Sequence, residues 1–132
     1  MNMTYMQATD LMIGDWVLIN NTPHKIQAID SIDAEIQADD ELYYVGEDRH
    51  HSEDKIEGIP ITPKILEKNG WKRNKIYMDM KAADYINFSW TDKCDETLFQ
   101  NGYYMCDCEY VHTLQHALRL CGLDELANNF KV

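Results

Sequence analysis

The sequence predicts an α+β fold. A small SH3-like β-barrel or meander comes first, then a short linking helix, then a second antiparallel sheet with a C-terminal helix packed on it. Short apolar runs broken by turn residues recur between Trp16 and Ile61 and again between Ile76 and Cys108, the pattern of short antiparallel strands. Thr62-Pro63 and Asn69-Gly70 bracket a short apolar edge, Ile65-Leu66, as a helix start and stop would. Val111, Leu114, Leu118 and Cys121 repeat at the spacing of one helix face.

Taken in order, Gly14-Asp15 leads into a first strand, Trp16-Val17-Leu18-Ile19, and Asn20 to Pro23 reads as a turn. Lys25 to Ile29 supplies the second strand of a hairpin, Asp30 to Asp33 its next turn, and Ala34 to Ala38 a third strand. Leu42 to Val45 is a fourth, and Lys55 to Ile61, with Ile56, Ile59 and Ile61, closes the first sheet. In the linking helix Thr62 accepts from an orphan amide, Pro63 suits the first helical position, and Asn69-Gly70 permits a left-handed exit with Trp71 packing behind it.

The second sheet draws on Ile76 to Met80, Tyr85 to Trp90, Leu98-Phe99 and Tyr103 to Cys108, with Asn101-Gly102 as the clearest hairpin turn. Ala117 and Leu120 widen the stripe of the last long helix, Gly122 ends it, and Asp124 is placed to cap a short final turn carrying Leu126 and Phe130. The expected organisation is a β-rich SH3-like subdomain over 1–61, and a helix, sheet and C-terminal helix over 62–132. At 132 residues the chain fits one compact domain or two very small ones.

Twelve Lys and Arg against 23 Asp and Glu give a net charge of -11, which argues against nucleic-acid binding through phosphate contacts. The charge is local: between Asp30 and Glu57, eleven carboxylates face only Arg49 and Lys55, a net -9. From Lys64 to Lys81 the balance reverses to +4. The acidic stretch reads as a solvated face, or as a surface that docks a basic partner or imitates nucleic-acid phosphates. It lacks the alternating ligands and turn glycine of a calcium loop, since Gly46 follows Tyr43, Tyr44 and Val45. No apolar run reaches the ~18 residues of a spanning helix, and Met1 to Asp10 has no basic segment leading into an apolar core, so neither membrane nor secretory leader is expected.

Cys106, Cys108, His112 and His116 are the only thiol and imidazole set with a local pattern. Alternate strand positions and i, i+4 helix positions each share a face, so these four are weak candidates for a tetrahedral metal site. Their spacing is not that of a zinc knuckle, and buried small Cys with half-exposed His is the simpler reading, with no cofactor. Four cysteines without a leader read as reduced thiols, with Cys94 in a polar connection. His24, His50 and His51 offer bases, but no nucleophile motif or phosphate loop accompanies them, so an enzyme is not the expected reading. Tyr77, Tyr85, Trp90, Tyr103, Tyr104 and Tyr110 supply cross-strand packing or an exposed platform, and Tyr43 and Tyr44 are candidate binding residues.

Ile13 to Val17, Ile59 to Trp71 and Tyr110 to Gln115 carry a resemblance that spans most of the chain. The chain resembles small uncharacterised proteins of phages, prophages and mobile elements of gut anaerobic bacteria, a family without an assigned activity. That resemblance transfers no catalytic residue. The recognisable segments are folding signals, apart from His112 and Gln115, polar residues at the start of a helix that serve either internal hydrogen bonds or a partner.

The expected function is a non-enzymatic, cytoplasmic interaction module that binds another protein, with no nucleic acid and no membrane. The alternatives are an acidic DNA mimic that inhibits a host DNA-binding or defence protein, and a small enzyme or metal-binding protein built on Cys106, Cys108, His112 and His116. Nothing in the sequence excludes a homo-oligomer.

Overall fold

The computed structural model describes residues 6–46, 54–77, 85–90 and 97–132, arranged in two units, Met1–Ile59 and Pro60–Val132. Two-residue turns organise the strands of both. Asn20-Asn21, Asp39-Asp40, Arg73-Asn74 and Asn101-Gly102 each place two successive residues at positive φ, between 50° and 85°. That geometry matches the twist of a tight hairpin and suits Asn, Asp and Gly.

In the first unit, β1 (Trp16–Ile19) pairs antiparallel with β2 (Thr22–Lys25). β3 (Ala28–Asp30), β4 (Glu35–Ala38) and β5 (Glu41–Tyr44) form a meander, and β6 (Ile56–Glu57) returns to β1. The result is two three-stranded sheets, β2-β1-β6 and β3-β4-β5. No closed barrel exists among the described residues, which corrects the closed form of the expected SH3-like architecture. The reason lies at Ile26-Gln27, where the chain changes partners: Ile26 donates to the Asp15 carbonyl at 2.9 Å, whereas Gln27 donates to the Gln37 carbonyl at 2.7 Å.

Strand positions also differ from the sequence reading. Thr22 and Pro23 lie in β2 rather than in the preceding turn, and Pro23 is tolerated because β2 is an edge strand. Val17, Ile19, Ile26, Ile36, Ala38 and Val45 form the core of this unit, joined by Ala8 from a short 3₁₀ turn (Ala8–Asp10) that the sequence pattern did not announce and by Leu11 just after it. Asp15 is fully buried, and its carboxylate accepts the Met12 amide at 2.7 Å, so it shapes the entry to β1.

Asp40→Gly is expected to stabilise this unit modestly, because Asp40 holds φ 62° in a turn whose second position favours glycine. A higher urea midpoint at unchanged slope checks it; a lower midpoint shows that Asp40 contributes more than a turn residue.

The second unit begins with α1 (Pro63–Lys68). Thr62 Oγ1 accepts the Ile65 amide at 3.2 Å and Pro63 opens the helix, as its missing N–H allows. Gly70, at φ 87°, lets the chain leave, and the Trp71 amide donates back to the Leu66 carbonyl at 3.1 Å. β7 (Lys75–Tyr77), β8 (Tyr85–Ser89), β9 (Thr97–Gln100) and β10 (Tyr103–Asp107) follow in a four-stranded antiparallel sheet of order β10-β9-β8-β7.

α2 (Val111–Leu120) and α3 (Asp124–Asn128) complete the chain. The core of this unit comes from one face of the sheet (Ile86, Phe88, Leu98), one stripe of α2 (Val111, Leu114, Leu118) and Leu66, Trp71, Ala127 and Phe130. Leu123, not Asp124, occupies the cap position of α3, with no side-chain cap bond. Asp124 lies in the first turn, where a carboxylate complements the helix dipole. No helix among the described residues is long and apolar enough to cross a membrane.

The acidity follows this division. Met1–Ile59 holds thirteen carboxylates and three cations, a net -10, and Pro60–Val132 holds ten and nine, a net -1.

Candidate functional site

Strand register sets the faces of the second sheet. Ile86, Phe88 and Leu98 are buried on one side, so Tyr85, Asn87 and Ser89 project from the other. Antiparallel partners share a face, and the pairs place three rows there. Tyr77 stands beside Tyr85; Lys75, Asn87, Phe99 and Tyr104 form the next row; Ser89, Thr97 and Asp107 form the third. A bulge between Tyr104 and Cys106 shifts β10, so that Tyr104 and Asp107 both stay on this outer face.

The face is aromatic, and it is open at Tyr77 and Tyr104, whereas Thr97 in the third row is buried. Tyr77 is 53% exposed and Tyr104 63%, with Tyr85 and Phe99 half-buried beside them. The rings meet edge-on: Tyr77 and Tyr85 centroids lie 6.2 Å apart at 61°, and those of Phe99 and Tyr104 6.4 Å apart at 81°. Lys75 Nζ lies 4.3 Å from the Tyr85 centroid, a cation–π contact that covers that ring. At the opposite edge the Tyr104 hydroxyl donates to Asp107 Oδ1 at 3.4 Å. Partial desolvation and then the Asp107 carboxylate push the Tyr104 phenol above its ordinary value. Tyr103 is 78% exposed but pairs with Gln100, on the other register. Trp90 leans on Phe88, 4.4 Å between centroids.

The residues singled out from the sequence fare differently. Tyr43 and Tyr44 project to opposite faces of β5: Tyr43 is the partner of buried Ile36, and Tyr44 that of Glu35. They make no common platform. Tyr43 instead belongs to a polar cluster that the sequence did not announce. Its ring lies 6.1 Å from His24, its hydroxyl donates to Glu41 at 2.9 Å, and His24 Nδ1 meets Asp39 Oδ2 at 2.5 Å. The hydrogen bond to Glu41 raises the Tyr43 phenol above its usual range. Strand alternation could have put His24 and Tyr43 on inward faces, but not side by side, because they lie on different sheets.

Gln115 is fully buried, and its Nε2 donates to the Ala127 carbonyl at 2.9 Å, so this candidate contact residue ties α2 to α3 instead. His112 is 8% exposed, its ring stacked on Tyr110 at 9° and edge-on to His116 at 6.0 Å.

Cys106, Cys108, His112 and His116 are not brought together as a ligand set; among the described residues no three His, Cys, Asp or Glu side chains are placed to hold a metal ion. Cys108 is buried and its thiol points to the Tyr110 carbonyl at 4.0 Å. Cys106 and Cys121 are half-buried free thiols, and burial pushes both above the ordinary thiol value. The Asp107 and Cys121 charges add to the rise at Cys106. Both should therefore alkylate with iodoacetamide at pH 8 more slowly than free cysteine, the thiolate being the reactive form. Peptide mapping over time checks this, and labelling at the free-thiol rate would contradict it. Cys94, His50 and His51 lie outside the described residues.

The raised thiols and phenols also fix a sign for stability. Each group is held in its protonated form more firmly in the folded chain, so the stabilisation is present below the ordinary value and is lost as pH rises through the folded one. Urea midpoints should fall as pH rises above about 9. A midpoint that climbs there would oppose the assignment.

No protein-family model, no curated protein and no solved structure matches this chain.

Proposed function

We propose that this chain is a non-enzymatic protein-interaction module of a phage or mobile element, acting in the cytoplasm through the outer face of its second sheet. The supporting observation is the exposure of Tyr77 and Tyr104 on a face that also carries Tyr85 and Phe99. Aromatic side chains lose little entropy on contact and dominate interface energies, and a contiguous patch of them is costly to leave in water.

The first unit reads as an SH3-like half-barrel that supports the module. β2 and β3 act as one bent strand shared between sheets β2-β1-β6 and β3-β4-β5, and β6 returns to β1. Its carboxylates do local work that weighs against a phosphate mimic. Asp30 accepts the Ile32 and Asp33 amides, Asp39 holds His24, Glu41 holds Tyr43, and Asp54 accepts from Asn20.

The test is capture by the intact chain from host lysate, beside a variant carrying Tyr77→Ser, Phe99→Ser and Tyr104→Ser with native hydrogen-exchange protection. A protein retained by the native chain and lost from the variant supports the proposal. No retained protein, or equal retention, overturns it.

A further inference from the structure

The outer face of the second sheet is chemically asymmetric, and the asymmetry selects among occupants. At the β7 side Lys75, the one cation of the face among the described residues, is already engaged over the Tyr85 ring. At the β10 side Asp107 is exposed and stands beside the 63% exposed Tyr104 ring. An exposed phenol ring next to a carboxylate offers a cation two attractions at once, the ring quadrupole and the opposite charge.

The same features disfavour flat ligands and anions. The rings cross at 61° and 81°, so they do not present one plane for a base or sugar to stack on. Phosphates approaching Tyr104 would meet Asp107. The unit that carries this face is nearly neutral, at -1, so the preference for a cation is set locally by Asp107 beside the Tyr104 ring rather than by a long-range field.

We infer that the occupant of this face is an extended, basic polypeptide segment of the partner, with an Arg or Lys side chain laid on the Tyr104 ring and paired with Asp107, and an apolar side chain across Phe99. The inference rests on the reading of this face as a protein-binding surface and adds the chemistry of the ligand. Asn87, between Lys75 and Phe99 in the register, donates one N–H to the Phe88 carbonyl at 3.3 Å and has its side-chain oxygen to offer the backbone of such a segment. Arg is favoured over Lys, because a planar guanidinium stacks on the ring while its N–H groups reach the carboxylate.

The experiment is an NMR titration of the full chain with three probes: an eight-residue peptide alternating Arg with Val and Pro, the same peptide with Glu for Arg, and a ten-residue oligothymidylate. The Arg peptide should shift the ring signals of Phe99 and Tyr104, weaken with salt, and bind at least about tenfold less tightly to Tyr104→Ala and Asp107→Asn. Asp107→Asn removes the charge from an exposed position, so it should leave the fold intact. Binding that is unchanged by Asp107→Asn overturns the inference. Equal or tighter binding of the Glu peptide to the same rings overturns the basic ligand but leaves a protein-binding face. Shifts from oligothymidylate alone, or from no probe, overturn the inference and oppose the underlying reading as well.

Discussion

Asn69→Ala should destabilise the second unit by about 3 kcal/mol, because one amide side chain makes three bonds worth about 1 kcal/mol each. Asn69 Nδ2 donates to the Ile65 carbonyl at 2.8 Å and to the Lys131 carbonyl at 2.8 Å, while Oδ1 accepts the Lys131 amide at 2.8 Å. The side chain thus pairs with the backbone of Lys131 as a neighbouring strand would, and holds the last residues against α1. Lys68 Nζ adds a longer contact to the Val132 carbonyl at 3.4 Å. The clasp also keeps Phe130 in place, and that ring is only 2% exposed. Asn69→Asp is the sharper variant. It keeps an acceptor for the Lys131 amide but sets a carboxylate against two carbonyl oxygens, so it should cost as much as alanine or more. Urea unfolding gives the loss, and hydrogen exchange at the Lys131 amide localises it. A Lys131 amide as protected in Asn69→Ala as in the native chain would contradict the clasp.

That clasp marks the boundary of what the sequence made legible. Thr62-Pro63 and Asn69-Gly70 set the ends of α1 because capping and left-handed exit are local chemistry. Asn69 as a reader of Lys131, 62 positions away, depends on tertiary placement that no local pattern encodes. The same contrast runs through the strands. Asn101-Gly102 was legible as a hairpin from its residue types alone, whereas Asp39-Asp40 and Arg73-Asn74 make the same left-handed geometry with less characteristic residues.

The proposed binding face was legible in part. Alternation in Tyr85 to Ser89 separates Ile86 and Phe88 from Tyr85 and Asn87, but the row that joins Asn87, Phe99 and Tyr104 follows from register across β8, β9 and β10. The bulge after Tyr104 decides which face Asp107 occupies, and a bulge leaves no reliable mark in composition. Tyr43 and Tyr44 show where alternation limits a sequence reading. Adjacent residues in a strand point to opposite faces, so two neighbouring tyrosines make a weak platform however prominent they look in sequence.

Gln115→Glu should be more damaging still, at about 4 kcal/mol or more, since it buries a charge in place of a neutral amide that donates to the Ala127 carbonyl. Gln115 is fully buried and spends its Nε2–H on the Ala127 carbonyl at 2.9 Å. Glutamate has the same shape but no donor, so its carboxylate would face that carbonyl oxygen out of reach of water. The penalty is shared between loss of the fold at neutral pH and protonation of the new side chain. Gln115→Met removes the bond without adding charge, and should cost about 0.5–1.5 kcal/mol for the lost hydrogen bond, because the Ala127 carbonyl still accepts the Phe130 amide at 3.4 Å. The order native, Met, Glu is therefore the expected ranking of urea midpoints at pH 7. A residue that served a partner from the surface would give the opposite result: both substitutions would leave the midpoint unmoved and change binding alone. The ranking thus separates the α2–α3 strut from the aromatic face, where Asp107→Asn is expected to alter binding and leave the midpoint where it was.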